Sequence, residues 1–542
     1  MSRDASSHPF APSERRTDLD ALRGFAMALG IVLHASLSFF PSPWPVQDCE
    51  QSGWFFVLYA VIHSFRMPLF FLLSGFFTMF LLRRYGLRGM LRQRVLRILL
   101  PLALAMVTIV PAGNWLFREA ALQTRVAPPP QDALIQAILR NDVTVAAAEL
   151  RTRGRDWTDE KNGLSPLYWA ALAGDPAMIE LCLQAGADPA WRSNDGSTAL
   201  HPAALFSHDA AVAALLNNRA DPLARDNVGL TPLQKSIAWA KTAATTAEML
   251  GLPEPDERAA AQRRAKCSEL LARAAREAAP PAWADAIDGG ALSYNQLLLS
   301  DRFGLAVSGR YFQVFTTTIF DHLWFLWLLM LLVTGFAAAV KLGLSPTGRG
   351  IWWIPVFSLV PQWLMSGIGP DLWMGLLPPP HMVLYYGSFF WFGAAVFARN
   401  GMATSLGSRW KILLPLGLFV FLPAAFVTLG DRVTSTVVQA SAAWLITLGI
   451  IGIFRRYCSA LGSWAQWFSD STYWLYLAHF PLVVAAQLLV AGWVAPVLLK
   501  FLLVNAVVVF LLLVSYQGFV RYTWLGTLLN GPRRRPGSPG KA

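Results

Sequence analysis

The chain has 542 residues, of which 55% are hydrophobic and only 14% charged, with a mean hydropathy of +0.42. A water-soluble enzyme of this size carries more charge, so most of the chain must lie in a bilayer. The net charge of +12 does not mark a nucleic-acid binder: residues 118–310 hold 20 Lys/Arg and 23 Asp/Glu, and the excess sits in short loops of the apolar remainder. The four cysteines (Cys49, Cys182, Cys267, Cys458) are scattered, which argues against a zinc site and against a disulfide scaffold.

In chain order, residues 1–23 are polar and charged, and a cytosolic tail with no short cleavable signal peptide is expected there. Apolar stretches long enough to cross about 30 Å of hydrocarbon follow at 24–40, 54–82, 98–117, 312–340, 351–368, 381–398, 412–430, 436–454, 473–490 and 497–520. These predict ten spans, three before and seven after a polar insertion at 125–280, and a basic tail at 526–542. Basic residues gather at one end of the spans: Arg3, Arg15, Arg16 and Arg23, the run from Arg83 to Arg97, Lys341 and Arg349, Arg399 to Lys411, Arg455, Arg456 and the tail. The opposite loops offer only Arg432 and Lys500. The positive-inside rule therefore puts both termini in the cytosol and the insertion on the outer face, in the periplasm of a cell with two membranes.

The insertion repeats itself. Gly163-Leu-Ser-Pro-Leu, Gly196-Ser-Thr-Ala-Leu and Gly229-Leu-Thr-Pro-Leu recur every 33 residues. Gln184-Ala-Gly-Ala-Asp-Pro and Asn218-Arg-Ala-Asp-Pro fall between them. Period and phrase resemble ankyrin repeats, most clearly at Thr198-Ala-Leu-His201-Pro-Ala. Helices over 132–153 and 257–278 are expected to cap the stack. Such stacks mostly bind proteins, so a periplasmic protein is the expected partner of this part.

The chemistry-bearing residues lie in the spans. Arg23 and His34 are eleven residues apart, about three helical turns, so they share one face at roughly 16 Å separation. Arg23 marks the cytosolic mouth. His34 lies near the membrane's middle, where an ionisable group is expensive and is a functional candidate; the alternative is a histidine bonded to a neighbouring helix, with Arg23 as a topological anchor. His63 and Arg66 share a face of the second span, which offers no acidic partner. Arg92, Arg94 and Arg97 cluster at the cytosolic edge, as a topological anchor or as a cradle for phosphates. His322 with Trp324 opens the fourth span, and His479 lies in Tyr473-Trp-Leu-Tyr-Leu-Ala-His479-Phe-Pro. Four histidines in four charge-poor spans point to one convergent site.

The Arg23-x10-His34 pair, Leu69-Phe-Phe-Leu-Leu-Ser-Gly-Phe, His322-Leu-Trp-Phe-Leu and Tyr476-Leu-Ala-His479-Phe-Pro, in this order, resemble the membrane acyltransferase-3 family. His63-Ser-Phe-Arg66-Met is similar to its branch that succinylates osmoregulated periplasmic glucans. The likeness covers 15–117 and 312–525; the ankyrin block is foreign to that pattern. It implies an all-α polytopic membrane bundle of about ten helices, with a soluble helical insertion, in the bacterial inner membrane. It implies transfer of an acyl group, succinyl or acetyl, from coenzyme A to a carbohydrate hydroxyl, with no metal and no nucleic acid. Other members of the family act on lipopolysaccharide, peptidoglycan or antibiotics. Residue by residue, it implies His34 as the catalytic base with Arg23 as its donor-side companion, and Arg94 and Arg97 at the coenzyme A entrance. His63, Arg66, His322, Trp324 and His479 would line the substrate pocket. A neutral imidazole can take the hydroxyl proton while a nearby cation stabilises the oxyanion. Ser74, within Leu73-Ser-Gly75, reads as a packing residue, so direct transfer is expected. Two other readings stay open from the residues alone: a transporter built on the Gly/Pro-broken spans, and a non-catalytic scaffold for the ankyrin stack.

Overall fold

The computed structural model describes residues 16–531 and 533, apart from 41, 43, 125–129, 155–156, 160–162, 227–229, 237–242, 244–245, 248–249, 254–255, 279–293, 295–296, 299–303, 308–309, 316–317, 345, 347–348, 366–368, 374, 401–405, 429–430 and 460–461. The first 15 residues, the basic tail beyond Arg533 and the repeat start at Gly229 lie outside the described residues. The chain divides into two compact units. One comprises 1–124, 318–428 and 434–542, the other 125–317 with 429–433.

The first unit is a bundle in which eight helices of the described residues are long and apolar enough to cross a membrane. The helix Thr17–Ser36 begins seven residues before the predicted span. Asp18 and Asp20 sit in its first turn, where acidic groups favour the exposed N–H ends, and Asp18 pairs with Arg16. The longest stretch, Gly53–Val107, merges the second and third predicted spans. Gly86 breaks it with φ 67°, a conformation that a Cβ disfavours. Beyond Gly86 the chain turns back on itself: Arg94 Nη2 donates to Thr78 Oγ1 at 2.7 Å and to the Ser74 carbonyl at 3.2 Å. Thr78 and Arg94 are equidistant from Gly86, so the two arms form a helical hairpin.

Two predicted spans take other forms. The described residues of the stretch 351–368 form short turns, Arg349–Trp353, Ile354–Phe357 and Leu359–Trp363, because Pro355 and Pro361 each remove a helical N–H. The fourth span starts at Trp324 rather than 312, because Arg310–Gln313 pairs as a strand with Gly304–Val307 in the second unit. Lys500, expected in an outer loop, is instead buried in the helix Val497–Ser515, where it forms an ion pair with the equally buried Asp48 and donates to the Trp493 carbonyl at 3.1 Å. That clamp ties Asp48 to this helix.

The bundle's tightest crossing joins the long helix to Pro380–Asn400. A Cβ on Gly75 would lie 1.8 Å from the Phe390 carbonyl oxygen, and one on Gly393 would lie 1.9 Å from that of Leu72. Small residues at such a seam let backbones touch, which is the dominant attraction between helices in lipid.

The second unit is a stack of short helix pairs: Ala133–Leu139 with Val143–Arg153, Pro166–Ala173 with Pro176–Gln184, and Leu200–Leu205 with Asp209–Asn217. Pro232–Ser236 begins a further repeat, and Glu257–Ala278 follows. Asp132, Ser165 and Asp175 cap helix starts with their side-chain oxygens. His201 accepts from Thr198 N at Nδ1 and lies 3.1 Å by Nε2 from the Leu230 carbonyl, which ties one repeat to the next. Leu167, Trp169, Met178, Ile179, Leu200 and Leu215 form its core.

Candidate active site

Pro481 interrupts the helix Ser463–Val490 and organises the site around it. Lacking an N–H, it leaves the Leu477 carbonyl without its intrahelical donor. That oxygen is taken by Nε2 of His322 at 3.0 Å. The same helix holds His322 twice more: Tyr476 donates its hydroxyl to the His322 carbonyl at 2.7 Å, and the Phe480 ring stacks on the imidazole at 4.8 Å and 2°. Asp321, just before it, has φ 43°, a left-handed conformation that costs energy at a residue with a side chain. The motif Tyr-Leu-Ala-His-Phe-Pro is thus a socket for His322.

His479 projects from the same helix, with Nδ1 on the Tyr476 carbonyl at 2.7 Å. Its ring centroid lies 5.3 Å from that of His322 and 5.1 Å from that of His34. Three predicted residues from three spans therefore converge. Among the described residues, His34 Nδ1, His322 Nδ1 and His479 Nε2 are all buried without a hydrogen-bond partner.

Arg66 joins them through a glycine. A Cβ on Gly30 would lie 2.4 Å from Arg66 Nη1, so the guanidinium rests on the first helix one turn before His34. Tyr59, Tyr386 and Tyr476 are its electrostatic neighbours. Among the described residues it meets no carboxylate: Nη2 reaches only Met67 Sδ at 3.7 Å, and Nε has no partner. A half-buried guanidinium that meets no carboxylate among the described residues has the chemistry to receive an anion.

His63 and Trp324 border this cluster through the tyrosines around Arg66, whereas Arg23, Arg94 and Arg97 form another group. His63 is stacked on Tyr59 at 5.2 Å and hydrogen-bonded to the Pro370 backbone near Asp371. Trp324 packs on Tyr386 at 5.7 Å. Arg23 donates to Ser469 Oγ at 3.2 Å and sits 3.7 Å from Asp20. It is close enough to Arg97 for the two charges to oppose one another, and Arg97 likewise opposes Arg94. Arg23, Arg94 and Arg97 thus form a second, cationic group.

Sequence reasoning missed the neutral residues that hold this arrangement. Gln487 Nε2 donates to the His34 and Ala35 carbonyls at the end of Thr17–Ser36, both at 3.1 Å, and the His34 carbonyl also accepts from Leu37 N at 3.4 Å. Its Oε1 accepts from Trp44 Nε1 at 2.7 Å, which sets the indole 5.4 Å from the His34 ring. Phe480 and Phe117 close the other sides. A buried Gln in an apolar helix is the signal that could have found this brace. Asp371, 3.6 Å from His381 Nε2, was also missed.

Residues 16–131 match the family model of the acyltransferase domain, and 131–241 match that of ankyrin repeats in three copies. Among known proteins the chain is similar to Glucans biosynthesis protein C of Escherichia coli. In strains SMS-3-5 and K12 the identity is 39% over 100 residues, 18% of this chain and 25% of the relative. The same values hold for strain O1:K1. The chain spans about a quarter of the length of the curated relatives it matches. The acyltransferase match carries Arg23, His34, His63, Arg66, Arg94 and Arg97, whereas His322, Trp324 and His479 lie beyond it.

Proposed function

We propose, from a chain that opens with an acyltransferase domain and carries ankyrin repeats, a multi-pass membrane O-acyltransferase of the cell envelope. The observation that supports it best is the meeting of His34, His322 and His479 beside the unpaired Arg66. The donor is an acyl-coenzyme A whose phosphates meet Arg23, Arg94 and Arg97, and the acyl group is succinyl. The acceptor is a hydroxyl of a periplasmic glucan or a related envelope carbohydrate. No step needs a metal, and the bundle's lipid surroundings keep bulk water away.

In this reading His34 removes the proton of the acceptor hydroxyl as its oxygen attacks the thioester carbonyl. The new C–O bond forms, the C–S bond breaks, and the thiolate takes the proton back from the imidazole. Arg66 receives the free carboxylate of the succinyl group through parallel hydrogen bonds. The basic loops orient the bundle in the inner membrane with the repeats in the periplasm, where they engage a protein partner. Incubating the detergent-purified full chain with succinyl-coenzyme A and a glucan tests the proposal. Free coenzyme A should appear only when the acceptor is present; release that ignores the acceptor, or none, overturns it.

A further inference from the structure

The two carbonyls that hold His322 and His479 also fix where their protons are. A carbonyl oxygen only accepts, so the ring nitrogen facing it must carry hydrogen. His479 is therefore protonated on Nδ1, which faces the Tyr476 carbonyl, and His322 on Nε2, which faces that of Leu477. In the neutral rings the other nitrogens, Nε2 of His479 and Nδ1 of His322, are bare acceptors. Both side chains are more than nine-tenths buried, and neither nitrogen has a partner.

Among the described residues no donor reaches either nitrogen. The Tyr476 hydroxyl is spent on the His322 carbonyl, and Phe480 covers the His322 face with a ring that has no polar atom. Arg66 is the opposite kind of group, with donors and no acceptor. The site thus has donors at Arg66 and bare acceptors at His322 and His479, with His34 in ring contact with His479 and one helical turn from the glycine that Arg66 meets. Buried acceptors left bare are costly, and a ligand that brings two hydroxyl protons repays both.

We propose that His479 Nε2 and His322 Nδ1 each accept a hydrogen bond from a different hydroxyl of one polyhydric acceptor, setting a further hydroxyl against His34. This rests on the transferase reading and adds to it the residues that select a polyol over a simple alcohol.

The test uses the full chain in detergent with 15N-labelled histidine. Long-range proton–nitrogen spectra should show one Nδ1-protonated and one Nε2-protonated neutral ring, assigned by their loss in His479→Leu and His322→Leu respectively. A linear glucose oligosaccharide should move both bare-nitrogen resonances, and 1-propanol should not. In turnover, His479→Leu should lower kcat/KM for the oligosaccharide relative to 1-propanol by ten- to a hundredfold. Reversed tautomers, resonances unmoved by the oligosaccharide, or an equal loss for both acceptors would overturn the assignment. If the unmodified protein acylates neither compound, the transferase reading fails, and the spectra still decide whether this pair binds hydroxyls.

Discussion

At the scale of single residues, Pro481 works by what it lacks. Pro481→Ala restores an N–H that competes with His322 for the Leu477 carbonyl, so turnover should fall while the protein still accumulates in the membrane. Unchanged steady-state kinetics would show that the His322 bond is dispensable. His34→Ala should remove the general base and lower transfer by about 10²- to 10⁴-fold, read as acceptor-dependent release of coenzyme A. Arg66→Met should weaken use of succinyl-coenzyme A about ten- to a hundredfold more than use of acetyl-coenzyme A, since a charge-assisted contact is worth roughly 1.5–3 kcal/mol. Parallel loss for both donors would make Arg66 structural. His34 and Arg66 were legible in the sequence because an ionisable residue in an apolar run has few ordinary reasons to be there. Gly30 and Gln487 were not: what they do depends on a partner hundreds of residues away or on a neighbouring helix, and a sequence read in windows shows neither.

Among the helices, the crossing at Gly75 and Gly393 decides whether the bundle can close. Gly75→Val would place carbon on the Phe390 carbonyl and on its surroundings, where nothing flexible can yield. A cost of at least about 1–3 kcal/mol follows from overpacking of this kind. The measurable outcome is a lower thermal midpoint in detergent, or failure to accumulate, with membrane targeting intact. Most spans were legible as apolar runs, because length and hydropathy are what the bilayer selects. The stretch 351–368 misled because hydropathy counts apolar atoms and not missing N–H groups, and two prolines had already forbidden a continuous helix there. The reversal at Gly86 could be read only once Arg94 was seen to reach back to Thr78.

For the molecule as a whole, the native cysteines can report the proposed orientation. Cys49 is exposed in the loop that precedes the long helix, and Cys458 is partly exposed beyond Arg432–Tyr457. Cys182 and Cys267 are buried in the repeat unit, where loss of solvation pushes each thiol up to about 12. An impermeant maleimide applied to spheroplasts should label Cys49 alone, Cys458 should react after permeabilisation, and Cys182 and Cys267 only after unfolding. Labelling of Cys458 before Cys49 would invert the topology. The division into a bundle and a repeat stack was legible in the 33-residue period, since each ankyrin unit must meet a neighbour to bury its face. The hairpin at Gly86 also bears on synthesis. The ribosome delivers the arm with Arg66 before the arm with Arg94, and a lone helix with a central arginine enters lipid at a cost of about 2.5–3.5 kcal/mol. The Thr78 hydroxyl, in turn, receives its donor only when residue 94 has been made. The two arms should therefore leave the translocon together, and a nascent chain arrested before the second arm is complete should remain in contact with the insertion machinery.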